Sequence, residues 1–294
     1  MDHQAPVADL FRNPPHRYVD VGGAEVACRT VGNGPDVLFV HGWPVSGATF
    51  RHLLPHLVDH VTCHVVDLPG TGSSRFSTTT PLSLDLHIHS VRRVVDELGV
   101  QRISVVGHDS GGMIARHALA GDARLRSMGL IDTEQSNGVT LRFRSFVAIR
   151  HLPGLAGALG WVAAHPRVRR HPLVFGAAFA DPSLLDGEFA EFFLDPLQRS
   201  PDHRAAAAAL LRSFRYGHVR ELADLHRQIR VPVQLVWGAL DKFFPVERAK
   251  RMVETFADAR LEIIEGAGLL AQEERPAEVA RALLPVLTGG EAHS

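Results

Sequence analysis

Arg102-Ile103-Ser104-Val105-Val106-Gly107-His108-Asp109-Ser110-Gly111-Gly112 is the stretch on which the reading of this chain turns. A β-branched run ends in Gly-x-Asp-x-Gly and passes into Met113-Ile114-Ala115. The pattern predicts a strand, a very tight turn and a helix. Small residues on both sides of the centre let strand and helix approach closely and leave one side chain at the apex. That side chain is Asp109, not a serine.

Working outward, the same alternation repeats. Residues 19–31, broken by Gly22-Gly23, predict a β-hairpin. Asp36-Val37-Leu38-Phe39-Val40 is an apolar strand that runs into His41-Gly42-Trp43-Pro44. Phe50, Leu53, Leu54 and Leu57 follow at helical spacing, then a strand at 61–66 and a helical stripe at Val91, Val94, Val95 and Leu98. Beyond the elbow come a helix and a strand at 127–131. The pattern resumes with a strand at 231–237, a helix at 247–256, a strand at 261–264 and a helix at 276–287. Short apolar strands alternating with helices predict an α/β class: a mostly parallel central sheet flanked by helices.

Between 136 and 226 the strand signals stop, and helix-like pieces at 189–194, 203–214 and 219–229 stand between prolines and glycines. This predicts a helical cap (136–226) inserted between a first core part (1–135) and a second (227–294). The cap holds Phe143, Phe146, Trp161, Phe175, Phe179, Phe192, Phe193 and Phe214, too many aromatics to face solvent. They form either the cap's own core or the lining of a pocket between cap and sheet, where ligand sites tend to form. Trp161 and Phe179 are the pocket candidates from this set, together with His41 and His108 from the core.

The bulk composition narrows the classes of function. The chain has 294 residues, 45% hydrophobic, and a formal net charge of −1, which suits one sizeable globular unit. No basic excess points to nucleic acid or an anionic membrane, and Arg167-Val168-Arg169-Arg170 reads as a solvated face. No apolar run reaches the length of a membrane span, and Met1-Asp2-His3-Gln4 does not open a secretory signal. Two cysteines, Cys28 and Cys63, imply no disulfide framework, so the expected location is cytoplasmic. The 18 histidines supply no metal-ligand spacing on a well-defined element: His87 and His89 lie two apart on a helix and point different ways. The glycines match neither a P-loop nor a dinucleotide fingerprint. Neither metal nor cofactor is expected, and the protein is expected to be a monomer or homodimer.

Three motifs in order, His41-Gly42-Trp43-Pro44, Gly107-His108-Asp109-Ser110-Gly111-Gly112 and Trp237-Gly238-Ala239-Leu240-Asp241-Lys242-Phe243-Phe244-Pro245, make the chain resemble the capped α/β-hydrolase superfamily. The resemblance is to the branch with an aspartate nucleophile, which holds epoxide hydrolases and haloalkane and haloacetate dehalogenases. It implies that Asp109 attacks an electrophilic carbon to give an ester that water then cleaves. It further implies that the backbone N–H groups of Trp43 and Ser110 form the oxyanion hole, and that Asp241 orients a histidine, with Glu134 the reserve acid. His41 is expected to order its loop. Ser110 is a weaker alternative nucleophile, since it sits one residue past the apex.

The expected histidine is absent. Its position, in Glu265-Gly266-Ala267-Gly268-Leu269-Leu270, holds Leu269, which has neither lone pair nor proton and cannot activate water. Three accounts follow: a stalled ester on Asp109, acid/base chemistry between Asp109 and Asp241 (epoxide opening, cyclisation, elimination or rearrangement), or a non-catalytic binder. Leu269 beside Asp109 is expected to dry that carboxyl and raise its pKa.

Capped epoxide hydrolases usually protonate the opening oxygen with two cap tyrosines. Here Tyr216 is the one cap candidate, because Tyr18 precedes the core. Serine at 110 removes the tryptophan or arginine that the dehalogenases place after the nucleophile. The motifs thus lean towards an epoxide-hydrolase-like enzyme with impaired ester hydrolysis, acting on a mainly apolar small molecule.

Overall fold

The computed structural model describes residues 7–289; the opening tetrapeptide and His293 lie outside the described residues. β1 (Arg17–Asp20) and β2 (Ala24–Gly32) form the expected hairpin, with Tyr18 opposite Ala27. β3 (Asp36–Val40), β4 (Thr62–Asp67) and the short β5 (Arg75–Phe76) follow. The apolar stripe becomes α1 (Leu84–Leu98), whose first turn is capped by the Ser83 side chain accepting from Leu86 N–H. β6 (Ile103–His108) runs through the elbow into α2 (Ser110–Leu119), and β7 (Leu125–Ile131) completes the first part.

Among the described residues, nine strands form one sheet in the order β1-β2-β4-β3-β6-β7, continuing through β8 (Val233–Gly238) and β9 (Ala259–Ile264), with β5 paired to β2. From β4 to β9 every neighbour is parallel, and the two N-terminal strands and β5 add the antiparallel edge. The register pairs Val40 with Gly107, His108 with Ile131, and Ile131 with Val236. The carboxyl ends of β3, β6, β7 and β8 therefore stand side by side, and the loops after them share one edge, where open α/β sheets place their ligands. The central strands β3 and β6 are largely apolar because both faces are covered, and all residues of β6 are buried.

The segment between β7 and β8 is helical. It holds α3 (Leu141–Ala148), α4 (Leu155–Ala164), α5 (Pro166–Arg169), a π-helical turn at Ala190–Leu194 running into α6 (Asp195–Arg199), α7 (Pro201–Ser213) and α8 (Tyr216–His226). α4 is not legible as a helix from the sequence, because Leu155-Ala156-Gly157-Ala158-Leu159-Gly160-Trp161 is apolar and glycine-rich on every side. Its Gly160 lies against Leu197 and Arg204, where an added Cβ would meet the Arg204 chain at 2.5 Å. After β8 come α9 (Val246–Val253), α10 (Ala271–Glu274) and α11 (Pro276–Thr288).

Two expectations are corrected. Phe50 and its neighbours form 3₁₀ turns at Gly47–Phe50 and Leu54–His56 instead of a helix, and these turns bury Phe50, Leu53, Leu54 and Leu57 under the sheet. The arginine cluster is not wholly solvated: Arg169 is buried, donating to the Ala163 carbonyl and pairing with Asp186. No single helix among the described residues is long and apolar enough to cross a membrane.

Asp67, at the end of β4, fastens the loops around the functional edge. Its Oδ1 accepts from Gly47 N–H at 2.8 Å, and Oδ2 accepts from Ser73 N–H at 2.9 Å and from Arg29 Nη1 at 3.0 Å. Both side chains of the Arg29–Asp67 pair are buried. Asp67→Ala leaves the guanidinium buried without its counter-charge and is expected to cost about 3–5 kcal/mol in urea unfolding. A loss below about 1 kcal/mol, the size of an exposed pair, would show that the pair does not hold these loops.

Candidate active site

Asp109 occupies the elbow with φ 51° and ψ −133°, a conformation rarely adopted by a residue with a side chain. The strain is tolerated because the backbone around it is tightly packed: a Cβ on Gly107 would lie 2.5 Å from the Gly112 Cα. Ser110 is the first residue of α2, one step past the apex. The Asp109 carboxyl turns toward the loop after β3, and its Oδ2 accepts from Trp43 N–H at 3.0 Å. The N–H groups of Ser110 and Trp43 both stabilise its charge, but burial outweighs them and holds the carboxyl up at about 6.

Cap and core enclose a cavity of about 710 Å³, in which Asp109, Glu134, Ser110, His41 and His108 meet a largely apolar wall. Phe143, Phe146, Phe175, Phe179, Phe189 and Phe214 line it from the cap. Both alternatives for the cap aromatics are realised, since Phe179 and Phe189 also pack edge-to-face in a buried cluster. Leu269 and Leu270 close the wall from the loop after β9.

Glu134 is 2% exposed and borders the cavity beside the elbow. Burial, reinforced by the charge of Asp109, pushes its carboxyl up to about 8, against the pull of Arg116 and Thr133. Asp241 does not line the cavity. Its Oδ1 accepts from Phe243 N–H at 2.7 Å and Phe244 N–H at 3.1 Å, while Oδ2 is buried without a hydrogen-bond partner among the described residues. Burial pushes Asp241 up to about 7 despite those amides.

Sequence reasoning misses Asp132, and the structure places it next to Asp241. It has φ 38° and is fully buried, and its Oδ1 accepts from Gly238 N–H at 2.8 Å. Burial and the charge of Asp241 raise it well above the carboxylate range. The only signal for it in the sequence is its position directly after β7.

Of the three imidazoles that line the cavity, His87 is held by the Pro69 carbonyl at 2.8 Å, and His41 and His108, nearer the elbow, are fixed as well. His41 Nδ1–H donates to the Gly42 carbonyl at 2.9 Å, and Nε2 accepts from Leu68 N–H at 2.9 Å, a tautomer assigned from these partners. His108 Nε2–H donates to the Leu269 carbonyl at 2.9 Å, and its Nδ1 has no partner among the described residues. Burial lowers both, His108 to about 4, so both are neutral.

Two sequence candidates are not brought to the cavity. Trp161 is 55% exposed and stacks on His165 at the outer side of α4. Tyr216 opens α8, packed edge-on against Phe214 with the Arg150 guanidinium over its ring, and is absent from the cavity lining. Helix phase decides both positions, and the surrounding sequence carries too little periodicity to reveal it. In exchange, Phe243 and Phe244 line the cavity from the core loop that carries Asp241.

Sheet order, elbow and cap together define an enzyme of the α/β-hydrolase fold. Residues 37–282 match the family model described as the alpha/beta hydrolase family, and the chain belongs to that family. An uncharacterized protein of Mycobacterium tuberculosis is 26% identical over 280 residues, spanning 92% of this chain and 80% of its own. A pimeloyl-[acyl-carrier protein] methyl ester esterase of Stenotrophomonas maltophilia is 36% identical, but only over 100 residues, 34% of this chain and 36% of its own. Among solved structures, an α/β hydrolase fold protein from Burkholderia ambifaria superposes with TM-score 0.74 at 24% identity, over 92% of this chain and 99% of its own. The epoxide hydrolase CorEH superposes with TM-score 0.75 at 18% identity, over 93% and 100%. At these identities the superpositions speak to the fold.

Asp109, Glu134 and Asp241 all titrate above their ordinary values of 3.8, 4.5 and 3.8. The fold therefore favours their protonated forms. Their contribution to stability is fully present below about pH 4 and is lost as the pH rises through about 6, 7 and 8. Asp109→Asn removes one of these losses and is expected to stabilise the protein at pH 8 by roughly 1–3 kcal/mol relative to its effect at pH 4. Urea unfolding of both proteins at the two pH values measures this. An equal difference at both would show that ionised Asp109 is not penalised by its surroundings.

Proposed function

We propose that this enzyme acts on a mainly apolar small molecule bearing an epoxide, that Asp109 is its nucleophile, and that the resulting ester turns over slowly. The observation that carries this reading is the placement of Asp109: a carboxyl at a strained apex, on the Trp43 N–H, inside an apolar cavity. In an attack on a ring carbon, a carboxylate oxygen forms the C–O bond and the ring C–O bond breaks. The ester carbonyl then lies against the amides of Trp43 and Ser110. A mainly apolar substrate follows from the phenylalanine-rich wall, and the likeness to CorEH agrees with the reaction class at the level of fold.

Slow turnover follows from Leu269. The buried Asp241 Oδ2 has no hydrogen-bond partner among the described residues, and the side chain at 269 has no group to offer it. The two remaining imidazoles in this part of the cavity are held by the Gly42 and Leu269 carbonyls. A second reading uses the same groups without a covalent step: Asp109, held at about 6, takes a proton during cyclisation, elimination or rearrangement while the more basic Glu134 supplies one.

Intact-protein mass after incubation with styrene oxide and 1,2-epoxyoctane, with product analysis, separates the readings. A persistent added mass mapped to Asp109, absent in Asp109→Asn, is expected. Leu269→His supplies an imidazole beside Asp241 and is expected to shorten the life of that adduct by about 10²-fold or more. Free product without an adduct at any time would favour the non-covalent reading. Saturable binding untouched by Asp109→Asn, with neither adduct nor product, would sink both.

A further inference from the structure

Opening an epoxide leaves charge on oxygen, and a dry cavity needs a donor for it. The expected donors do not serve: Tyr216 does not line the cavity, and among the described residues that do there is no tyrosine. The imidazoles of His41, His87 and His108 are neutral, with one ring nitrogen each on the Gly42, Pro69 and Leu269 carbonyls. Trp43 Nε1–H donates to the Ala207 carbonyl at 2.9 Å, and Arg142, the guanidinium in the lining, donates to the Pro172 carbonyl at 2.6 Å and lies over the Phe243 ring. The hydroxyls of Ser110 and Ser145 are far weaker acids than a carboxyl. Asp109 and Glu134 are the two carboxyls in the lining.

The hydrogen bonds around Thr133 show which of the two holds a proton. Thr133 Oγ1 has three neighbours: Arg116 Nη2 at 2.8 Å, the Asp109 carbonyl at 2.7 Å and Glu134 Oε2 at 3.1 Å. The guanidinium can only donate and the carbonyl can only accept. The single hydroxyl proton goes to the nearer oxygen, the Asp109 carbonyl. Thr133 can then give Glu134 Oε2 no more than a minor share of its proton, and a full hydrogen bond at this contact is made when Glu134 carries a proton of its own.

Charge balance favours the product of the step. Arg116 is fully buried, and it donates to the Gly112 and Glu134 carbonyls, the Thr133 hydroxyl, His226 Nε2 and the Met252 sulfur, none of them a carboxylate. It faces Glu134 from α2, Asp109 faces it from the elbow, and Asp241 acts on Asp109 from the loop after β8. A carboxylate formed at Glu134 would appear beside a cation that is waiting for one.

We propose that Glu134 is the proton donor of this site, protonated at rest and giving its proton to the substrate oxygen as Asp109 opens the ring. The inference rests on the reading of Asp109 as nucleophile. In the step, an Asp109 oxygen bonds to the ring carbon and the ring C–O electron pair passes to oxygen, which takes the Glu134 proton. The products are an alkyl ester at 109, a substrate hydroxyl and a Glu134 carboxylate facing Arg116, and one negative charge is conserved throughout.

The test combines infrared spectra with the pH profile of Asp109 alkylation by styrene oxide in the full chain, using Glu134→Gln and Glu134→Asp. The protonated-carboxyl C=O absorption at pH 7 is expected to hold a Glu134 component, lost in E134Q and retained in E134D, beside a component from Asp132 and Asp241 that all three proteins share. Alkylation is expected to rise as Asp109 ionises and fall as Glu134 does; E134Q lowers it by about 10²–10⁴-fold and removes the alkaline fall, which E134D keeps. Wild-type minus E134Q absorption without a protonated-carboxyl component places the proton elsewhere and overturns the inference whatever Asp109 does. Equal losses in both variants with the wild-type pH profile retained would mean a structural role and overturn it too. Should E134Q not fold, E134D alone decides by whether that component and the alkaline limb persist. No alkylation of any protein, with the component intact, overturns the donor role through the failure of the Asp109 reading.

Discussion

The hydrogen bond from Trp43 N–H to Asp109 Oδ2 joins the ends of two neighbouring strands, and the rest of the site is arranged around it. It requires the loop after β3 and the turn after β6 to lie almost in contact. A Cβ on Gly42 would fall 2.4 Å from that same oxygen. Parallel pairing brings the two strand ends level, and the small residues of the elbow remove the bulk that would hold them apart. An aspartate at the apex then has one conformation to adopt, with its carboxyl on backbone amides and its open side toward the cavity.

Burial sets the chemistry of what surrounds that carboxyl. Four acids, Asp109, Asp132, Glu134 and Asp241, stand on three adjacent strand ends; low dielectric pushes all four upward, and repulsion adds to it at Asp132, Glu134 and Asp241. An imidazolium would relieve such a cluster by adding positive charge. With Leu269 in the wall, protons relieve it instead. Asp132 and Asp241, both raised, form one place for them, and in the reading proposed above Glu134 is another. Arg116, behind the elbow, is the fixed cation of the group, and the resting distribution keeps it free of a carboxylate partner. The site is thus built from paired carboxyls of different proton affinity, a usual basis for dividing acid and base roles.

Much of this is legible in the sequence. The three motifs predict the sheet, its order of elements and the inserted cap, because each motif sits at a strand end and its spacing is set by element lengths. The place of Asp109 and the missing imidazole at 269 can be read residue by residue. The cap resists reading: α4 has no polar face to betray its phase, so Trp161 reads as a pocket residue although it points outward. Tyr216 and Phe243 change places for a similar reason, since a helix start and a loop after a strand carry no periodicity that says where a ring points.

The sequence alone determined which residue stands at the elbow and that leucine, not histidine, stands at 269. Both are matters of residue identity within a local motif, and local backbone geometry imposes the motif. Only the tertiary structure decided which acids meet and which of them holds a proton. Glu134, Arg116, Asp132 and Asp241 come from separate elements, and a carboxyl's proton affinity depends on burial, neighbouring charge and the direction of a hydroxyl such as that of Thr133, none of which exists until the chain has folded.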